Sequence, residues 1–174
     1  MKLSADLQKA FDTQITLEFE ASAVYRQLAI EMDVQDLPGM AAWLRHQADE
    51  EIVHANKFID HVIDRDSHPK IGDVAAPKIK AKPSPLDVFL EALKHEQMVS
   101  EAIRELYRTC DAAGDLDSRP LLHWFLEEQI EEESTVSEIV GRIELIGDDG
   151  PGLLRLDSEL GARPARTTEP AAGQ

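Results

Sequence analysis

Four apolar stripes at heptad spacing run through this chain, and a single glutamate interrupts each near its middle. The stripes read Phe11, Glu18, Tyr25, Met32; Leu44, Glu51, Phe58; Phe89, Glu96, Ile103, Cys110; and Phe125, Glu132, Ile139, Ile146. Recurrence at this spacing marks one face of a helix, the face that turns toward a core. Each glutamate falls about 11 to 13 residues from the start of its helix, so helices packed side by side bring all four to one height.

Glycine, proline and capping residues set the ends of the helices. The first is expected from Ala5 to Val34 with Ser4 as its cap, and the second from Pro38 to Arg65 after the break Asp36-Leu37-Pro38-Gly39. Ser84-Pro85 opens the third, which stops at Gly114; Ser118-Arg119-Pro120 opens the fourth, which ends at Gly147. Two short breaks make two antiparallel pairs. The segment Ser67 to Pro83, broken by Pro69, Gly72 and Pro77, is long enough to reach about 55 Å when extended. A helix of about 28 residues is roughly 42 Å long, so this segment can return along the whole bundle and make helices two and three parallel. The expected fold is all-α: a four-helix bundle with one long crossover, plus a short amphipathic fifth helix over Leu153 to Leu160. The domain is expected to cover 1–161, and 162–174, rich in Pro, Ala, Thr and Gly, to be a disordered tail.

Four carboxylates meeting in a core repel one another, and each unpaired buried ion costs several kcal/mol. Few Lys or Arg share their registers. Two divalent cations would balance them. His54 lies three residues after Glu51, so both can face one metal. One Glu-x-x-His with three aligned glutamates fits the general di-metal carboxylate arrangement. Helix four departs from it by carrying Gln129-Ile130-Glu131-Glu132 in place of a second Glu-x-x-His. Oxygen-dominated donors with one imidazole suit iron or manganese better than copper or structural zinc.

The stretches Leu17-Glu18-Phe19, Asp49-Glu50-Glu51-Ile52-Val53-His54, Lys94-His95-Glu96-Gln97 and Trp124 to Glu132 resemble the bacterial non-haem ferritins, over nearly all of residues 3–161. The resemblance implies that Glu18, Glu51 and His54 bind one iron, that Glu51 bridges, and that Glu96 and Glu132 hold a second with Gln129 beside it. It implies a third iron site formed by Glu50, Glu128 and Glu131 with Glu132; the alternative for that face is a solvated acidic surface. It further implies a ferroxidase that oxidises Fe(II) with dioxygen, an iron-storage role, and a hollow homo-oligomeric shell of 24 subunits. Bacterioferritins carry a haem-ligating methionine where this chain has Ile52, and a histidine at the Glu132 position, so no haem is expected.

Tyr25, two turns from Glu18, is either a hydrogen-bond or electron donor to the centre or a core tyrosine. Trp124 is read as packing, His61 as structural, and Cys110 as an inert core residue. His46, His68, His95 and His123 are placed at the surface, and Asp115 and Asp117 in an acidic turn rather than at an ion entrance. The net charge of −16 argues against a nucleic-acid partner and favours attraction of cations. A single cysteine excludes a disulfide framework. No signal segment or membrane span is visible, so a cytoplasmic location is expected. A non-enzymatic acidic bundle is the alternative from another functional class.

Overall fold

The computed structural model describes residues 2–162; the expected tail lies outside them apart from Ala162. Five α-helices form, with no strand among the described residues: α1 Ala5–Asp33, α2 Pro38–Asp64, α3 Pro85–Ala112, α4 Arg119–Ile146 and α5 Gly150–Gly161. Ser4 caps α1 by accepting from the Leu7 N–H. Ser84 and Asp87 form a reciprocal capping box at the start of α3. A 3-10 turn, Leu116–Ser118, leads into α4. Gly114 and Gly147 take positive φ just past α3 and α4, where a side chain would be strained. The sequence expectation for α5 is short by three residues at its start, because Asp149 caps the Gly152 N–H and Pro151 fits the first turn.

The crossover is pinned along α1. Gln8, Asp12, Thr16 and Glu20 recur every four residues on one face of that helix. Gln8 donates to the His68 carbonyl, and the other three accept from the N–H groups of Lys70, Gly72 and Ala75. Where α1 ends, the Gln35 amide donates to the Pro83 carbonyl. The segment therefore travels the length of α1 and delivers α3 to the end where α2 begins.

The apolar core is divided in two. One cluster includes Tyr25, Met32, Leu44, Phe89, Val136 and Ile139. The other includes Phe11, Ile15, Phe58, Ile103, Leu122 and Phe125, with the Phe58 and Phe125 rings stacked at 4.1 Å. Along α1 and α4 the chain passes from the second cluster to the first; along α2 and α3 it passes from the first to the second. Helices two and three thus run parallel to each other and opposite to the other two. The boundary between the clusters falls at the interrupting glutamate in α2, α3 and α4, and about one turn after it, between Ala21 and Val24, in α1.

Helix α5 packs against the start of α2, within the subunit, and buries Leu156 and Leu160 in the first cluster. The approach is close: a Cβ on Gly39 would lie 1.9 Å from the Asp157 carbonyl oxygen. No side chain of its own caps α2. Asp157 supplies the cap from α5, accepting from the Met40 N–H at 2.7 Å. His95 differs from its expected surface position and is 7% exposed. Helix α3 packs against α1 as well as α4, which covers a wider face than the Glu96 stripe alone. Replacing Asp157 with alanine removes a helix cap, so Asp157→Ala is expected to cost about 1 kcal/mol of stability; an unchanged denaturation midpoint would show that the cap is dispensable.

Candidate metal centre

Between the two apolar clusters lies a polar waist built by all four long helices. α1 provides Glu18, α2 Glu51 and His54, α3 Glu96, and α4 Gln129 and Glu132; none is more than 3% exposed. Glu18, Glu51 and His54 each offer a ligand atom, and these atoms all lie within 4.8 Å of one another, the one such group of three among the described residues. His54 Nδ1 sits 3.3 Å from Glu51 Oε2. The edges of Trp124 and Phe125 meet the His54 ring at 5.8 and 5.4 Å between centroids and fix its plane. Glu18 Oε2 and His54 Nε2 are buried with no hydrogen-bond partner. Buried polar atoms left in this way are costly unless something else binds them. Two carboxylates and one imidazole fit a divalent first-row metal such as Fe(II).

The other carboxylates are held by neutral donors. Tyr25 OH donates to Glu96 Oε1, and the Gln129 amide donates to Glu96 Oε2 at 3.2 Å and to Ser100 Oγ at 3.2 Å. Gln47 Nε2 donates to Glu132 Oε2 at 2.7 Å, and Gln14 Nε2 to Glu18 Oε1 at 2.7 Å. Tyr25 is therefore both a core ring, edge-on to Trp43, and a hydrogen-bond donor to the centre. Gln14 and Gln47 escape the sequence reading. The available signal was an amide four residues before Glu18 and Glu51, on the same buried face.

Burial raises the Glu18 carboxyl well above its ordinary pKa, and the neighbouring Glu51 adds to the effect. Glu51 is raised by burial first and then by Glu96. Burial also raises Glu96, against the lowering effect of its bonds from Tyr25 and Gln129. Tyr25 is raised by burial and by Glu96. Without a cation, the waist therefore retains protons that free carboxyls would release.

The remaining residues singled out in the sequence lie outside this group. Glu50 is buried, Glu128 half-buried and Glu131 exposed, and they form no compact donor group of the kind made by Glu18, Glu51 and His54. Asp115 is held by Arg65 through bonds of 2.7 and 3.2 Å and by Ser118, which fits a structural turn. Asp117 lies 3.7 Å from the same guanidinium. His61 bonds Ser118 Oγ at 2.8 Å and packs on Phe11. Burial pushes the Cys110 thiol up to about 11, away from reactivity. Trp124 carries Lys57 over its ring at 4.7 Å in addition to its packing on His54.

Comparison with known proteins gives one consistent picture. Residues 8–146 match the family of the ferritin-like domain. The bacterial non-heme ferritin of Escherichia coli O6:H1 is 33% identical over 159 residues, covering 91% of this chain and 95% of the relative. That of Staphylococcus aureus (strain USA300) is 34% identical over 161 residues, covering 92% and 96%. Among solved structures, an open-pore ferritin from the hyperthermophilic archaeon Archaeoglobus fulgidus superposes with a TM-score of 0.91 at 34% identity, over 94% of this chain and all of that one. A form of the same archaeal ferritin engineered to be closed gives 0.91 at 33% identity, over 95% of this chain and all of that one.

The raised carboxyls fix the sign of a pH dependence. At Glu18, Glu51 and Glu96 the metal-free folded state binds more protons than the unfolded chain, so their contribution to stability falls as pH rises above the ordinary carboxyl range of about 4. A divalent cation must expel those protons, so its affinity rises with pH. Calorimetric titration of Co2+ in two buffers of different ionisation heat is expected to show proton release that diminishes as pH increases; uptake of protons would contradict the assignment.

Proposed function

The chain belongs to the ferritin family, and from that premise we propose that it is an iron-storage protein that oxidises its own cargo at the polar waist of each subunit. The domain responsible is 1–161. The observation that carries this reading is the buried convergence of Glu18, Glu51 and His54, with two of their ligand atoms unsatisfied. The names of the curated relatives support iron storage.

Ferrous iron is the substrate. One ion would bind Glu18, Glu51 and His54. Glu51 would be shared with a second ion held by Glu96 and Glu132, with Gln129 beside it. Each Fe(II) gives up one electron, and one dioxygen takes both with two protons to reach the level of hydrogen peroxide. The chain's own part is to hold both ions at bridging distance, to keep their surroundings anionic, and to release carboxyl protons as the ions arrive. Ferric product would then pass to a mineral inside a hollow shell of 24 subunits. The face carrying Glu50, Glu128 and Glu131 would take a third iron. A haem has no ligand at Ile52, which offers no donor atom. No described helix is long and apolar enough to cross a membrane, and a cytoplasmic location is part of the proposal.

Glu51→Ala removes the shared ligand and His54→Ala the single imidazole. Loss of a residue that merely supports a metal ligand typically costs 10- to 100-fold in affinity or activity, so loss of the ligand itself is expected to slow initial aerobic Fe(II) oxidation by roughly that factor or more. The ferric absorbance in stopped flow measures it, with assembly checked by size-exclusion chromatography. Wild-type rates in both assembled variants would remove the catalytic assignment and leave a binding or scaffold protein.

A further inference from the structure

The carboxylates of the waist are restrained by groups that carry no charge, and one of these restraints runs from α2 to α4. Gln47 belongs to α2 and is 4% exposed; it donates through Nε2 to Oε2 of Glu132 on α4 at 2.7 Å. Glu132 itself is 1% exposed. An amide donor to a carboxylate is a charge-assisted bond and fixes the oxygen it holds. Arginine or lysine at the same place would fix it too, but would also neutralise the charge that a cation needs. Gln47 orients Glu132 while leaving its negative charge available. Gln14 does the same for Glu18 within α1, through its 2.7 Å bond to Oε1.

We propose that Gln47 is the positioning residue of the second metal position: by bonding Glu132 across the bundle it sets how that carboxylate is presented, and so sets the affinity of the second ion independently of the first. This rests on the reading of the waist as a two-metal centre. The Gln47 side-chain bond goes to Glu132 rather than to Glu18, Glu51 or His54, although Gln47 lies one turn before Glu51 on the same helix. Each carboxylate oxygen carries two lone pairs, so Oε2 can accept from Gln47 and still face an ion. With the bond intact, the Glu132 carboxylate is held in one orientation toward the centre.

The test uses the whole assembled protein and Co2+, a redox-inert stand-in for Fe(II) under these conditions. Crystals of wild type, Gln47→Met and Gln14→Met are soaked over a series of Co2+ concentrations, and the anomalous signal gives occupancy at each position separately. Methionine keeps the length of glutamine and removes the donor. In Gln47→Met, half-occupancy beside Glu96 and Glu132 is expected to need roughly 10-fold more Co2+ or above, while occupancy beside Glu18, Glu51 and His54 stays as in wild type. Gln14→Met is expected to show the opposite pattern. Gln47→His, which restores a ring N–H donor, is expected to recover the second position. If Gln47→Met does not assemble, Gln47→His against Gln47→Ala carries the same comparison. Equal loss at both positions, or none at either, overturns the role of Gln47. A wild-type crystal with no cobalt at the second position overturns the two-metal reading itself, and with it this inference.

Discussion

Four buried carboxylates meet at one level of a helical bundle, and the cost of that meeting governs the rest of the structure. Like charges at close range in a low-dielectric interior repel strongly, and each also loses its hydration. The chain lessens this cost in two ways. Glu18, Glu51 and Glu96 are shifted toward their protonated forms by burial and by one another. Uncharged donors, namely Tyr25, Gln14, Gln47 and Gln129, bond several of the oxygens without cancelling the charge that a cation would use. A core built for stability alone would place leucine at these positions. Retention of carboxylates there is intelligible as the maintenance of a cation site.

Such a site needs rigid walls, and the fold supplies them from both sides. Apolar clusters above and below the waist hold the four helices at fixed spacing, with large rings such as Phe58, Phe125 and Phe89 packed at their centres. Each end of the bundle is then tied by a different polar device. At one, Arg65 binds the turn before α4 through Asp115 and Ser118. At the other, Asp157 of α5 caps α2, where Gly39 allows the close approach. The ladder from Gln8 to Glu20 fixes the crossover along α1. Several of these contacts lie far from the carboxylates in sequence, yet together they support the axial register in which Glu18, Glu51, Glu96 and Glu132 come level.

The parts legible in the sequence are those with a period. Heptad recurrence revealed the four helices, and a glutamate out of keeping with each stripe revealed the waist. The pair Glu51 and His54 was visible because residues three apart on a helix share a face. Partner choice across helices has no such period. Gln47 looks like any amide on a buried face until the structure places Glu132 against it. The ladder on α1 does recur every four residues, but its partners are backbone groups of an irregular segment, which leave no trace in side-chain identity. His95 was misplaced because a single stripe predicts one contact face, whereas α3 packs on both α1 and α4. The same limitation hid Asp157, whose role is to cap a helix more than a hundred residues away.

The two halves of the waist are unequal, and the inequality bears on what the centre is for. Glu18, Glu51 and His54 already converge, with two of their ligand atoms unsatisfied. Glu96 is bonded at both oxygens, by Tyr25 and Gln129, and Glu132 is held by Gln47. Binding at the first half relieves unsatisfied atoms, whereas binding at the second meets carboxylates that neutral donors already orient. The second ion gains less relief of this kind than the first, which makes its departure easier. A resident metal cofactor would be better served by a second imidazole in place of Glu132 and a carboxylate in place of neutral Gln129, since stronger ligands favour retention. Under the proposed function, the arrangement on α4 suits a position that iron occupies as substrate and vacates as product.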